Sequence, residues 1–211
     1  MCTMAGLGDV FKNALEVVKL KDDAIGKVAK DESATGMTVV LVAVVSLVVA
    51  VIGYFMSMFV LGALGSAFGL PGLGAAAGMG IIQVVFAPIG AIIGLFIMTG
   101  IFFLSCLVLG GKGKYMEMFR PLGHAYVLQL ISWIPIVSFV VAIWNIVVMV
   151  KVFKVVHQFT TGRAFVAWLI PVLVLMVFAI VLVVIMGAAF FGTLASMGGT
   201  EALSGLATYM R

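Results

Sequence analysis

The sequence predicts an all-α, polytopic membrane protein with five transmembrane helices preceded by an amphipathic cytosolic helix. Three observations carry this. Of 211 residues, 64% are hydrophobic and 9% are charged, against ~25% charged in an ordinary soluble domain. Mean hydropathy is +1.34, and the apolar runs are continuous, without the alternation of an outer-membrane barrel. Eleven of the twelve Lys and Arg residues fall in three segments. A soluble enzyme, a disordered chain and a disulfide scaffold are thereby excluded. Cys2 and Cys106 lie far apart and imply no disulfide framework or metal spacing.

The amino-terminal segment, residues 1–37, holds five lysines and six acids and lacks the apolar core of a signal peptide. Within it Leu7, Val10, Phe11, Ala14, Leu15 and Val18 recur at helical spacing, with Lys12, Glu16 and Lys19 opposite. Such a helix lies in the headgroup plane or packs on the protein's own cytosolic face. Ser33 or Thr35 is placed to cap the helix that follows.

Residues 38–191 are read as the membrane domain. Thr38 to Leu61 is an uncharged run of 24 residues, enough for ~30 Å of hydrocarbon. Gly62 to Gly80 carries seven glycines and Pro71 and reads as an exit loop. Ile81 to Leu109 is the second span, with Pro88 and a Gly90/Gly94 pair that lets another backbone approach. A basic loop covers Gly110 to Pro121. Leu122 to Val156 is then 35 residues, ~52 Å as one helix and too long for one upright crossing. A second basic loop runs from Lys151 to Arg163. Phe165 to Phe191 is the last span, with Pro171 near its start, and 192–211 is a small, glycine-rich tail.

Charge supplies orientation. Lys and Arg collect on the inner side. The amino-terminal segment and both basic loops therefore share the cytosol, and the tail lies outside. Leu122 to Val156 has basic residues at both ends, so it crosses an even number of times. Two crossings with a tight outer turn at Trp133 to Pro135 fit, with a re-entrant hairpin as the alternative. The first arm is short unless its helix begins near Tyr115 and buries the Met116 and Phe119 face.

Intramembrane polar residues are functional candidates by default. Gln83, Gln129 and Asn145 stand out, the last two as a pair across the hairpin. Each alternatively makes an interhelical hydrogen bond worth ~0.6–2 kcal/mol. No acid or base lies deep in a span. His124 and His157 have no partner at metal-ligand spacing, and no catalytic constellation, cofactor motif or nucleic-acid signature appears. The Gly110–Lys114 stretch fails the phosphate-loop pattern in every register. Cys106 is juxtamembrane, a position open to acylation. Lys112, Lys114, Arg120, Lys151, Lys154 and Arg163 form a candidate basic cytosolic face for anionic headgroups, each worth ~1 kcal/mol. The same pattern arises from orientation bias alone.

Gly110-Gly111-Lys112-Gly113-Lys114-Tyr115 is followed by Phe119-Arg120 and Gly123-His124-Ala125-Tyr126. Trp133-Ile134-Pro135-Ile136 and Ile143-Trp144 come next, then His157 and Thr160-Thr161-Gly162-Arg163-Ala164. This ordered set resembles the Yip1 domain family. His124 stands where that family usually has Tyr. The DLYGP motif and long amino-terminal region of eukaryotic members are absent, so the chain is similar to a prokaryotic-type member. The resemblance implies five spans, a cytosolic amino terminus and residence in the cell membrane. It also implies a non-enzymatic membrane adaptor or organiser. In eukaryotes the family is associated with Rab-type GTPases and vesicle traffic, a role not carried over intact. Expected partners are membrane lipids, other proteins or a second copy of the chain. The alternative is a small transporter, channel or lipid-handling protein built on Gln83, Gln129 and Asn145.

Overall fold

The computed structural model describes the backbone of residues 7–69 and 80–209, and side chains at 8–69 and 80–189. All regular structure in these residues is helical. The order is α1 (Leu7–Val18), α2 (Asp22–Lys30), α3 (Ala34–Ala67) and α4 (Gly80–Val108). Then come α5 (Tyr115–Ala125), a 3-10 helix (Tyr126–Ile131), α6 (Pro135–His157) and α7 (Thr161–Tyr209). Four helices are long and apolar enough to cross a membrane: Ala34–Ala67, Gly80–Val108, Pro135–His157 and Thr161–Ala189. The described residues up to Trp168 form one compact unit, and those from Leu169 onward form a second.

Helices outlast the glycines that were expected to end them. α3 continues past Leu61 through Gly62 and Gly65 to Ala67. In hydrocarbon an unpaired backbone group costs more than a glycine does, so the ladder persists. The rest of the expected exit loop, residues 70–79, lies outside the described residues, as does Cys2. α7 likewise runs on through Gly192 to Tyr209. From Leu169 this helix is a unit by itself. Over residues 169–189 it is apolar on all sides, with Val174, Val183 and Met186 exposed, the pattern of a lipid-facing helix.

The long apolar run from Leu122 breaks into two arms. α5 starts at Tyr115, where the Lys114 N–H donates to Glu117 Oε2 at 3.1 Å and satisfies one orphan donor of the first turn. Met118 through Ala125 are all buried. Phe119 is inside, whereas Met116, expected on the same face, is exposed. The helix then tightens to 3-10, and Ser132 N–H closes on the Gln129 carbonyl at 3.1 Å. Pro135 starts α6 at a position where a missing N–H costs nothing.

α5 is the centre of the first unit, touched by α1, α2, α3, α4 and α6. Phe119 stacks on Phe96 with centroids 4.3 Å apart. Val10 and Ala14 of α1 pack with Leu41 and Val45 of α3 and Val127 of the 3-10 helix. α1 thus turns Val10, Ala14 and Val17 inward and leaves Phe11 and Leu15 exposed. Its last turn is held by Trp144, whose Nε1–H donates to the Val18 carbonyl at 3.0 Å. Leu20 in the left-handed region, φ +62°, then reverses the chain into α2. α2 buries Ile25, Val28 and Ala29. Elsewhere, Phe59 of α3, Val85 of α4 and Phe139 of α6 stand 75%, 67% and 72% exposed, as membrane-facing surface must.

Candidate functional site

The loop between α4 and α5 is fixed by hydrogen bonds that follow from its glycines. The Gly111 N–H donates to the Cys106 carbonyl at 2.8 Å, and the Gly113 N–H donates to His157 Nδ1 at 3.2 Å. A Cβ on Gly111 would lie 2.5 Å from that ring nitrogen and 2.9 Å from the Cys106 carbonyl. Gly110 is left-handed at φ +79°, a conformation that only glycine adopts without cost. The amides of Gly110, Gly111, Gly113 and Lys114 are thus used internally, which leaves no array of free N–H groups to cradle a phosphate. The loop holds Lys112 and Lys114 outward on a short, rigid support, both exposed.

Arg163, at the start of α7 and still within the first unit, lies beside this loop. Its guanidinium is close to Gly110 and sits 5.8 Å from the centroid of the Phe159 ring. Lys154 is half-buried on the last turns of α6. Lys151 is an ion-pair partner, with Nζ 2.7 Å from Asp22 Oδ1. It ties α6 to α2, leaving less of its charge for an external anion.

Arg120 does not belong to an exposed face. It is 6% exposed. Its Nη1–H donates to the Ala29 carbonyl at 2.6 Å and its Nε–H to Thr35 Oγ1 at 2.8 Å. The physical reason is the placement of α5: a helix enclosed by five others has no outer face at its second turn. The guanidinium instead closes the last turn of α2, where a carbonyl lacks an intrahelical donor. One turn on, His124 Nδ1 lies 2.9 Å from the Arg120 carbonyl and 3.2 Å from Thr38 Oγ1. His124 and His157 are each 1% exposed. Neither snorkels to the boundary; both are tied into the packing. Cys106 is fully buried, which removes its thiol from acylation. Among the described residues no group of three His, Cys, Asp or Glu is placed to hold a metal.

The three intramembrane candidates come together. Gln83, Gln129 and Asn145 all line one cavity of about 960 Å³ walled mainly by α3 and α4. Gln129 and Asn145 also line a second cavity of about 380 Å³ that reaches Ser132 and Ser138 near the turn. The two amides therefore stand on the wall shared by both spaces. No hydrogen bond joins them among the described residues, although both face the same volume. The Gly90/Gly94 pair lines the larger cavity too, and a Cβ on either would meet nothing within 4 Å. It makes room and does not serve a helix contact within this unit.

Sequence reasoning missed Thr99. It is 1% exposed, lines the larger cavity, and its Oγ1 has no hydrogen-bond partner. A threonine in an apolar run carries no signal by itself.

Compared with known families, residues 16–183 match the family model of the Yip1 domain. No curated protein matches the chain, and no solved structure does.

Proposed function

Since the chain belongs to the Yip1 domain family, in general a non-enzymatic one, we propose that it is an integral-membrane adaptor or organiser acting through its rigid basic loop. The observation that carries this reading is the locked loop from Gly110 to Lys114. The amides of Gly110, Gly111, Gly113 and Lys114 are bonded internally, its two lysines are exposed, and Arg163 lies beside Gly110. Such a surface suits anionic headgroups or an acidic protein segment, at ~1 kcal/mol per cation. We read the fold as five crossings: α3, α4, the α5 and 3-10 pair, α6 and α7. At 11 and 6 residues, the third of these rises ~28 Å in total. Val127 and Leu128 of the 3-10 stretch are buried in protein, the condition under which irregular backbone is tolerated at membrane depth. The amino terminus is assigned to the cytosol and the carboxyl terminus to the outside, in a cell membrane, on charge distribution.

The test is a Lys112→Gln/Lys114→Gln/Arg163→Gln variant purified in mild detergent. Retention of anionic lipid, or recovery of protein partners, should fall several-fold while thermal stability holds. Unchanged lipid and partner recovery would rule out the basic loop as the acting surface. A second reading, a lipid-handling or transport protein, is favoured by the convergence of Gln83, Gln129 and Asn145 on one cavity.

A further inference from the structure

We propose that the cavity between α3 and α4 is a binding site for a neutral amphiphile. The ligand has one long hydrocarbon chain and an uncharged hydroxyl or ester group, as in a monoacylglycerol. This deepens the lipid-handling reading and is independent of the basic loop.

Four observations converge. The volume, about 960 Å³, lies at the upper end of the ~300–1,000 Å³ typical of small-molecule sites. Its room comes from residues that have no other packing role. A Cβ at Gly53, Gly90 or Gly94 would meet open space within 4 Å. Its walls lie between two helices able to span a membrane, with apolar outer faces, so hydrocarbon chains have access.

The polar groups name the ligand's other half. Thr99 is one of the residues around this space, and its Oγ1 is buried and lacks a partner within the protein. An orphaned buried hydroxyl costs ~1–3 kcal/mol, and a ligand that hydrogen-bonds it recovers that loss. Gln129, Asn145 and Tyr126 line the same space from the 3-10 helix and α6, supplying both donors and acceptors. No residue lining the cavity carries a formal charge. A phosphate or carboxylate buried there would have no counter-ion, so the polar group is uncharged. A packed helix is a poorer occupant, because its backbone groups are already paired. The chain of the ligand then runs along Gly94, Ala91 and Ala87, with its polar end near Thr99 and Asn145.

The test is photolabelling of the full chain in phosphatidylcholine vesicles with a diazirine-bearing monoacylglycerol, followed by peptide mapping. Label should concentrate on the cavity side of α4, from Ala87 to Leu95, and compete with unlabelled monooleoylglycerol but not with phosphatidic acid. Gly94→Leu fills open space and should reduce capture about tenfold or more. Thr99→Val keeps the shape and removes the hydroxyl. It should weaken capture about fivefold while the ligand-free protein melts no lower than wild type, an outcome that a purely structural threonine would not give. Label spread evenly onto the outward Ile93 and Ile97, insensitive to both substitutions, would overturn the proposal. So would equal competition by phosphatidic acid, or quantitative dimers through Gly94→Cys, which would place a second copy in the space. Capture without movement of lipid between leaflets supports the site and removes the lipid-handling reading.

Discussion

Arg120 is one side chain doing the work of a tether. It binds the end of α2 and the start of α3 from the middle of α5, so it fastens the amino-terminal helices to the core. Arg120→Ala leaves the Ala29 carbonyl unpaired in a buried place, which costs ~1–3 kcal/mol. A lower melting temperature in detergent is expected, and Arg120→Lys should recover only part of it, since an ammonium lacks the planar fork. Asp31, at the α2–α3 junction, works by a different route. Its Oδ1 accepts from Ser33 Oγ at 2.6 Å and from the Ser33 N–H at 3.0 Å. Those bonds, the hydroxyl first, hold its carboxyl below the ordinary range. The sign follows from that depression. The turn gains stability above the unfolded carboxylate value of ~3.9 and loses it as pH falls through the folded value. Hydrogen exchange at the amides from Ser33 to Gly36 should therefore accelerate only in strong acid. In Ser33→Ala the onset should move to higher pH; an unmoved onset would show that the serine hydroxyl does not set it.

Helices in this protein are separated by glycines used in opposite ways. Gly123 of α5 lies against Thr38 of α3, and an added Cβ would collide with the Thr38 methyl and sit 3.2 Å from Leu95. Gly123→Ala should cost ~1–3 kcal/mol by forcing the two helices apart. Gly94→Ala meets nothing and should gain ~0.5–1 kcal/mol from helix propensity. Melting temperatures of the two variants in one detergent test the contrast directly, and equal shifts would contradict it. Helix boundaries follow the same logic. Gln158 adopts φ +55° to end α6, and Phe159 N–H then bonds the Lys154 carbonyl at 3.1 Å, the close of a helix terminus without glycine.

For the chain as a whole, the orientation argument makes a labelling prediction. With Cys2 and Cys106 replaced by Ser, a membrane-impermeant thiol reagent should reach Phe68→Cys from outside only. Lys112→Cys should be reached from inside only. Lys112 is the better probe in its loop because Gly111 and Gly113 have no room for a side chain. Labelling of both from one side would overturn the five-crossing arrangement.

Helical membrane class, the positions of α3, α4 and α6, and the turn before Pro135 were legible in the sequence. Each depends on continuous apolar runs, charge and proline, which act locally. The convergence of Gln83, Gln129 and Asn145 on one cavity was only half legible. Their polarity in apolar runs marks them singly, but no spacing in one strand of sequence links residue 83 to residues 129 and 145. Thr99 left no mark at all. Arg120 was misread for the same reason: a cation in a basic loop looks like its neighbours until α5 is seen among the five helices that touch it. Composition by itself determined the solvent this protein lives in, because burying that much apolar surface has no aqueous solution. Only the tertiary structure decided which glycines close contacts and which open a cavity, and which cations face outward. Those properties depend on what lies across from a residue, and a neighbour in space is not encoded at any fixed distance along the chain.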